Sequence, residues 1–499
     1  MDLKKSDKKF LNNKDFGDWK SLGCAYKIKY VIQNITVEPI LAIFQISSVL
    51  SSLTTQNLNL QKACRVNLNM SREICSGLEN KSLTHLYKKE SIEVQQIVAN
   101  VLIWQTVIQS SIPCILIIFI GSWSDRNNKR KPFMLLPIFG EIVRTIGLLL
   151  CVYYFYEFPI EVAGLVESLP TAIGGGVTVL YLATFSYIGD KCTVKNRTIR
   201  IGLLSMFFGS AFPIGASLSG VLYQNINFYG VYCLSLFLYI ISLLYCVIRI
   251  KEQPQQISID NVEHTLQNCM YYLREFFNLK HIRDTFAVTF KKEPYNRWVT
   301  IMMLLVIVVT TNGPSQGEQV VGYMYTRLKF NWNELDYSLY STLIFILNLI
   351  GLGITLVILC HIFKMDEALI GAIAVSSKIM AEFVYAFATT EFIFYIGIFV
   401  ETMSGASIIV VRSILTKTVQ THELGQVSAI IGFIETLVPV FYKPFYSLIY
   451  KASLNTFPGL IFIISVIMLI PANILFLWMY GNNRLIKQKI KELENSKGI

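Results

Sequence analysis

Two long apolar runs of this chain are joined by Gly121-Ser-Trp-Ser-Asp125-Arg126-Asn-Asn-Lys129-Arg130-Lys131. The run before this stretch, 94–120, and the run after it, 133–155, each exceed the roughly 20 mostly apolar residues that a helix needs to cross a bilayer. The stretch is therefore predicted to be a tight loop between two transmembrane helices. Its basic residues place the loop on the cytoplasmic side, because short cytoplasmic loops are enriched in Lys and Arg.

The composition of the whole chain also predicts a membrane protein. Of its 499 residues, 53% are hydrophobic and only 15% are charged, whereas soluble domains carry about 25% charged residues. The apolar runs are continuous rather than alternating, which favours helices over a β-barrel. We expect an all-α polytopic membrane protein, because helices satisfy every backbone hydrogen bond within lipid.

Twelve apolar segments are predicted to cross the membrane, six in each half of the chain. In chain order they are 31–56, 94–120, 133–155, 160–189, 201–223, 229–249, 298–326, 337–361, 367–388, 391–411, 424–450 and 457–480. The predicted units are a cytoplasmic tail (1–30), a first bundle (31–249) with an outer loop (57–93), a cytoplasmic linker (250–297), a second bundle (298–480) and a second cytoplasmic tail (481–499).

The formal net charge of +11 comes from 44 Lys and Arg against 33 Asp and Glu. Most of the basic residues lie in the tails and in loops on one side of the predicted helices, as in cytoplasmic flanks that face lipid headgroups. No zinc-finger spacing or aromatic and basic platform accompanies them, so nucleic-acid binding is excluded. In the absence of a clear sorting signal, the plasma membrane is the expected location, ahead of the endolysosomal membrane.

The long outer loop contains two cysteines and two glycosylation sequences. Cys64 and Cys75 lie in a compartment that is oxidising, so they are predicted to form a disulfide. Asn69-Met-Ser and Asn80-Lys-Ser are the predicted glycosylation sites, because the topology places both outside the cytoplasm.

The loop between the first two runs resembles the signature loop of the major facilitator superfamily, Gly-x-x-x-Asp-Arg-x-Gly-Arg-Arg. That family uses Gly where this chain has Asn128, and Asn also tolerates a left-handed conformation. The resemblance implies a charged latch that holds a cytoplasmic gate, and the alternative is an ordinary basic loop. The residues implied for the gate are Asp125, Arg126, Lys129 and Arg130.

Further segments narrow the resemblance: Val37-Glu38-Pro39-Ile, Leu53-Thr-Thr-Gln-Asn57, Asn196-Arg-Thr-Ile-Arg200, Val411-Arg412-Ser-Ile-Leu-Thr-Lys417 and Phe433-Ile-Glu435-Thr-Leu. In combination they are similar to solute carrier family 46, which includes the proton-coupled folate transporter. The resemblance implies transport of a small organic, anionic and folate-like solute by alternating access. It also implies that Arg412 binds the substrate, which suits a guanidinium because it grips carboxylates in a bidentate manner.

Two departures from that family leave the energy coupling open. Ser205 stands where the folate transporter has an acid that is central to proton coupling, and Asn331 replaces the cysteine that links the first outer loop to the second half. Proton symport and uncoupled transport are therefore both open. A receptor or scaffold that kept the transporter fold is the alternative function. An enzyme is not expected, since no nucleophile and base, metal site or cofactor site can be assembled from the scattered histidines.

Charged residues inside the predicted spans each need a partner or a function, because such groups are costly in lipid. Two intrahelical ion pairs are predicted, Glu141 with Arg144 and Lys378 with Glu382, with Glu401 and Glu435 left unassigned. Glu38, beside a proline in the first span, is predicted to serve either the substrate cavity or a gate. Glu318 lies in a glycine-rich segment, 312–319, that we expect to be unwound beside the cavity, and it is the predicted proton-coupling acid.

Overall fold

Helices make up nearly all of the part of the chain that the structure, a computed structural model, describes. The described residues are 35–79, 87–127, 129–191, 194–250, 297–355, 359, 362–363, 365–418 and 424–496. The helices are α1 (Glu38–Lys62), α2 (Arg72–Glu79), α3 (Lys88–Asn127), α4 (Lys131–Tyr153), α5 (Ile160–Gly174), α6 (Gly176–Lys191), α7 (Val194–Arg249), α8 (Arg297–Phe330), α9 (Glu334–Ile354), α10 (Glu367–Phe387), α11 (Glu391–Glu401), α12 (Ala406–Thr418), α13 (Leu424–Ser453) and α14 (Leu460–Ser496). A π-helix, Ala63–Asn67, continues α1.

Within the described residues, nine helical segments are long and apolar enough to cross a membrane. One of them, Phe207–Arg249, covers parts of two predicted spans, 201–223 and 229–249. The two parts are separated by a kink at Asn227, where φ is 52°. Helix α1 is not among the nine, since Ser, Thr, Asn and Gln side chains lower its hydropathy. The all-α membrane fold is confirmed, whereas the count of twelve crossings stays a prediction.

Helix α4 shows the arrangement expected of a helix in lipid. Many of its large apolar side chains face outward, with Phe139 59% and Leu150 51% exposed. Its charged side chains face inward, with Glu141 3% and Arg144 5% exposed. A soluble helix has the opposite distribution, because water favours charge on the outside. The exposed faces therefore fit a hydrocarbon environment.

The two halves of the protein meet along two pairs of helices. Helix α3 of the first half packs along α13 of the second, and α7 packs along α9. Within the halves, α1 packs on α7 and α8 packs on α13. A left-handed residue, Gly175 with φ of 80°, separates α5 from α6 within one predicted span. Helices α1, α4, α8, α10 and α11 bring buried polar or charged side chains into the interior.

Candidate transport site

Lys378 of α10 is the centre of a buried charge network in the second half. Its Nζ atom is 2.8 Å from Glu401 Oε1 on α11 and 3.2 Å from Glu318 Oε2 on α8. The predicted pair with Glu382 is also present, at 2.6 Å between Nζ and Oε1. All four side chains are at most 14% exposed. Three carboxylates from three helices therefore surround one ammonium group.

Hydroxyl groups bind two of these three carboxylates. Tyr385 donates a hydrogen bond of 2.8 Å to Glu401 Oε2, and Ser465 of α14 donates to Glu318 Oε1. Glu382 is different, because neither of its oxygens has a partner with hydrogen-bond geometry in the described structure. Its side chain is fully buried, so the contact with the ammonium group of Lys378 is its main electrostatic support.

The prediction of an unwound segment at 312–319 is wrong. Helix α8 is continuous through this segment. The glycines serve close packing instead, since a Cβ at Gly313 or at Gly317 would lie 2.3 Å from a ring atom of Tyr442 or Tyr446 on α13. The glycine-rich composition thus reflects two tyrosine rings that lie directly on the α8 backbone. The intact helix holds the acid that follows Gly317 at a defined position.

Arg144 of α4 is the centre of a second buried network, in the first half. The predicted pair with Glu141 is present, at 2.6 Å between Arg144 Nε and Glu141 Oε2. Arg144 also donates a hydrogen bond of 2.8 Å to Ser51 of α1. Glu141 accepts further hydrogen bonds from Tyr239 at 3.2 Å and from Thr171 at 2.9 Å. This pair is electrically neutral and well bonded, which indicates a structural role.

The sequence reasoning missed Glu167 of α5. Its Oε2 atom accepts a hydrogen bond of 3.4 Å from Asn59 Nδ2 of α1, and Gln105 of α3 donates to the same carboxylate. No Lys, Arg or His among the described residues forms an ion pair with it. The sequence feature that could have indicated Glu167 is its position within the apolar run 160–189, with no basic residue three or four positions away.

Arg412 lies apart from the Lys378 network. Its Nη2 atom is 3.4 Å from Glu435 Oε1, and its side chain is 60% exposed. No described contact joins Arg412, predicted to bind the substrate, to Glu318, predicted to bind the coupled proton, so the structure does not bring these two residues into one cluster. No group of three His, Cys, Asp or Glu side chains is placed to hold a metal ion in the described ranges.

Glu38 lies at the first residue of α1 and is 1% exposed. Its Oε2 atom accepts hydrogen bonds from the backbone N–H groups of Thr36, at 2.7 Å, and Val37, at 3.0 Å. A carboxylate at this position accepts hydrogen bonds from N–H groups at the start of the helix, and its negative charge is attracted to the positive end of the helix dipole. Of the two predicted roles, this position at the predicted cytoplasmic end of α1 favours the gate.

The loop quoted first is folded back on the end of α3. Arg130 donates a hydrogen bond of 2.8 Å to Ser124 Oγ, and Ser124 donates one of 2.7 Å to the carbonyl oxygen of Lys129. The side chains of Asp125 and Arg126 fall outside the described part of the structure. The gate therefore stays a prediction.

A disulfide closes the outer end of α1. The predicted bond between Cys64 and Cys75 is present and joins the π-helix to α2. Helix α1 runs past the predicted end of its span, to Lys62, and the disulfide lies just beyond this end. Asn69 is exposed, as glycosylation requires. Asn80 lies outside the described residues, and glycosylation at both positions stays a prediction.

Arg327, near the outer end of α8, connects the two halves. It donates hydrogen bonds of 3.0 Å to Asn57 Oδ1 of α1 and 3.2 Å to the carbonyl oxygen of Leu78 on α2, the helix that carries Cys75 of the disulfide. On its own side it contacts the Tyr323 hydroxyl at 2.7 Å and Glu334 Oε1 at 3.5 Å. The sequence analysis assigned no role to Arg327, because nothing in the sequence indicates a partner 270 positions away.

The chain belongs to the major facilitator superfamily, whose family model matches residues 91–442. It has the fold of solved transporters, including a D-xylose–proton symporter (TM-score 0.59, 13% identity, 89% of this chain and 97% of that chain). The human organic anion transporter MFSD10 is similar (TM-score 0.58, 13% identity, 88% of this chain and 98% of that chain). The protein is thus a multi-pass membrane transporter of this superfamily and not an enzyme.

Among curated proteins the chain is similar to members of solute carrier family 46. It is 25% identical to the lysosomal proton-coupled steroid conjugate and bile acid symporter SLC46A3 of Gallus gallus, over 88% of this chain and 93% of that protein. It is 22% identical to the probable peptidoglycan muropeptide transporter SLC46 of Drosophila melanogaster, over 85% and 81%. It is 22% identical to the proton-coupled folate transporter of Rattus norvegicus, over 71% and 73%.

Proposed function

We propose that this protein is a secondary transporter that moves a small organic solute with an anionic group by alternating access, in symport with protons. The single observation that carries the proton coupling is the set of three buried carboxylates around Lys378. The names of the relatives, which describe a proton-coupled symporter of steroid conjugates and bile acids and a proton-coupled folate transporter, support the same class.

The charges around Lys378 do not balance. If Glu318, Glu382 and Glu401 were all ionised, the network would contain two more negative charges than positive ones in the interior of a membrane protein. An uncompensated buried charge costs several kcal/mol, so the network lowers its free energy when it takes up protons. A group that gains and loses a proton as its access to water changes is what proton coupling requires.

Glu318 is the member of the network that is best placed to convert protonation into movement. Its contact with Lys378 ties α8 to α10, and its contact with Ser465 ties α8 to α14. Neutralising this carboxylate weakens the ionic contact and loosens α8 from its neighbours. The same helix carries Arg327 to the contacts between the halves, about 13 Å further along at 1.5 Å per residue. Protonation in the interior is therefore linked to the outer contact through one helix.

Arg412 supports the anionic character of the solute. Its guanidinium is 60% exposed and only 3.4 Å contacts join it to Glu435. Charge-assisted hydrogen bonds are usually 2.7–2.9 Å long, so this pair is loose and a carboxylate, sulfate or phosphate of the solute can displace Glu435. An arginine suits that exchange because it presents two parallel N–H donors to an oxyanion.

The expected plasma-membrane location has no support from the relatives. Several of them, from Gallus gallus, Mus musculus and Homo sapiens, are named as lysosomal. We therefore propose an endolysosomal membrane, whose acidic lumen would supply protons to the outer side of the predicted topology. Localisation of the untagged protein by immunofluorescence, against markers of the two membranes, tests this part separately.

The test of proton coupling is uptake into proteoliposomes of a radiolabelled panel of folate, steroid sulfate, bile acid and muropeptide, with and without a pH gradient. Glu318→Gln, a permanent mimic of the protonated acid, is expected to keep exchange of the solute and to lose accumulation driven by the gradient. Glu93→Gln, at an exposed acid of α3, is the matched control and keeps both. Accumulation by Glu318→Gln that still follows the gradient contradicts the role of Glu318.

A receptor or scaffold on the transporter fold is the competing function. A purified protein that binds a member of the panel but exchanges none of it, with or without a pH gradient, would favour this alternative. Exchange by the wild-type protein excludes it.

A further inference from the structure

Lys443 of α13 is a charged residue within the predicted membrane span 424–450 that the proposed coupling mechanism does not use. Its side chain is half-buried. No described residue forms a hydrogen bond or an ion pair with its ammonium group, whereas its backbone carbonyl oxygen accepts a bond from Ser447. A charged group within a span is costly in lipid, so an ammonium group without a counter-charge calls for an explanation.

The position of Lys443 on α13 places it between the two halves of the protein. Thr436 and Tyr450 lie seven residues before and after it, and residues spaced by seven share one face of a helix. Both of them contact α3 of the first half: Tyr450 donates a hydrogen bond to Gln95, and Thr436 forms one with Cys114. Lys443 therefore lies on the face of α13 that packs along α3.

Lipid does not account for the exposed part of the Lys443 side chain. Phe441 and Phe445, two residues before and after it, are 65% and 40% exposed, and residues two positions apart lie on nearly opposite sides of a helix. Outer water is excluded as well, because the pair Tyr450 and Gln95 is fully buried and lies about 10 Å further out on the same face at 1.5 Å per residue. The ammonium group therefore borders space between the helices.

The two helices that pack most closely on α13, α3 and α8, leave this ammonium group without a counter-charge. Between Gln95 and Cys114, α3 contains no Asp or Glu. The single acid of α8, Glu318, contacts Lys378 and Ser465 instead. An ammonium group has three N–H donors and one positive charge, so its complementary ligand is an oxyanion such as a carboxylate, sulfate or phosphate.

We propose that Lys443 binds the acidic group of the transported solute inside the membrane, between the two halves. This inference rests on the proposed transport function and adds a second cation for the same anion. Arg412 lies nearer the predicted cytoplasmic end, because its partner Glu435 precedes Lys443 by eight residues, which is about 12 Å along α13 at 1.5 Å per residue. The two cations therefore lie at different depths, Arg412 toward the cytoplasm and Lys443 in the interior.

Protection of Lys443 from phenyl isothiocyanate, a hydrophobic reagent for amines, tests the site. The full-length protein in lipid nanodiscs is treated with the reagent, and mass spectrometry measures the modified fraction at Lys443. Three probes of similar size separate the requirements: hexanoate and hexanesulfonate are anions, and hexanamide is neutral. Only the two anions are expected to reduce the modification of Lys443, and none of the three should change it at Lys451 on the same helix.

Variants separate a binding role of Lys443 from a structural one. Hexanesulfonate is expected to raise the thermal unfolding midpoint of the wild-type protein; Lys443→Met should lose this shift, and Lys451→Met should keep it. Without a probe, Lys443→Met should unfold at a midpoint no lower than the wild type, because the substitution removes no described contact. Lys443→Gln replaces this variant if it is not monodisperse.

Four results overturn the proposal: no protection by either anion, equal protection by hexanamide, a hexanesulfonate shift that persists in Lys443→Met, or a lower midpoint of that variant without a probe. The last result would show that Lys443 is held by a contact within the protein. Neither measurement involves transport or a pH gradient, so their failure is distinct from a failure of the proposed function.

Discussion

At the scale of single residues, the protein contains buried charges that are stable only because of their partners. Arg144 and Glu141 illustrate this, since the pair is neutral and each member has further hydrogen bonds. Glu382 has fewer bonds, and Lys378 must serve three acids at once. The Arg144–Glu141 pair therefore contributes to stability. The Lys378 network retains excess negative charge, which protons can neutralise.

Breaking the balanced pair is expected to destabilise the protein strongly. Arg144→Met leaves Glu141 as an uncompensated buried charge, at a cost of about 3–5 kcal/mol, and thermal unfolding in detergent should show a lower midpoint. Lys329→Met, at an exposed position of α8, is the control and should leave the midpoint unchanged. Adding Glu141→Gln to Arg144→Met should restore part of the loss; no recovery would show that packing, and not charge, dominates.

Asn69 is expected to carry a glycan. Its side chain is exposed within the loop that the disulfide closes, on the predicted outer side. Asn69→Gln should therefore remove one endoglycosidase-sensitive step in electrophoretic mobility. Asn196→Gln, at a matching sequence on the predicted cytoplasmic side, should change nothing. A loss of mobility shift at Asn196 instead would reverse the predicted topology.

At the scale of helices, the two networks occupy related positions in the two halves. In each half the third predicted span carries an intrahelical ion pair, at Arg144 and at Lys378, and the fourth carries a further acid, Glu167 or Glu401. The first predicted span of each half also contacts the basic residue, through Ser51 in one and Glu318 in the other. The second half has one more acid than the first, which explains why protonation is expected there.

The packing of α8 against α13 is expected to tolerate no side chain at two glycines. Gly317→Ala places a Cβ 2.3 Å from the Tyr446 ring, and overpacking of this kind typically costs about 1–3 kcal/mol. We expect a lower unfolding midpoint and weaker transport, because the shift of α8 also moves Glu318. Gly353→Ala, where no atom lies within 4 Å, is the matched control. Unchanged transport by Gly317→Ala would show that α8 has room to move.

At the scale of the whole molecule, the described contacts between the halves close the predicted outer side. Arg327 joins α8 to α1 and to the loop with the disulfide, and Tyr450 of α13 donates a hydrogen bond to Gln95 of α3. In alternating access, these contacts must break before the outer side opens. Among the described residues, Arg327 has the largest number of such partners on the opposite half.

Removing this arginine is expected to open the outer side more often. Val94, 3% exposed beside the disulfide, can be replaced by cysteine as a reporter. In Val94→Cys protein, Arg327→Ala should increase labelling by a membrane-impermeant maleimide, because the links to Asn57 and Leu78 are lost. Lys329→Ala, two residues along α8, should not. Equal labelling of the two variants would show that Arg327 does not hold the outer side closed.

Much of the fold could be predicted from the sequence, because helix formation and membrane insertion of each apolar run depend mainly on the residues within that run. The same holds for the disulfide, since its two cysteines are 11 residues apart, and for both ion pairs, since i,i+3 and i,i+4 positions share a helix face. The unwinding predicted at 312–319 was wrong, because glycine lowers helix propensity locally but here the rings of another helix occupy the space.

Residues close together in the chain are enough to indicate an all-α membrane protein, its superfamily and the ion pairs within helices. The folded structure adds contacts that the sequence does not indicate: Glu318 and Glu401 beside Lys378, Asn59 beside Glu167, and Arg327 between the halves. These contacts join residues from different helices, 23 to 270 positions apart. Their electrostatic energy depends on distance in space, which the order of residues along the chain does not specify.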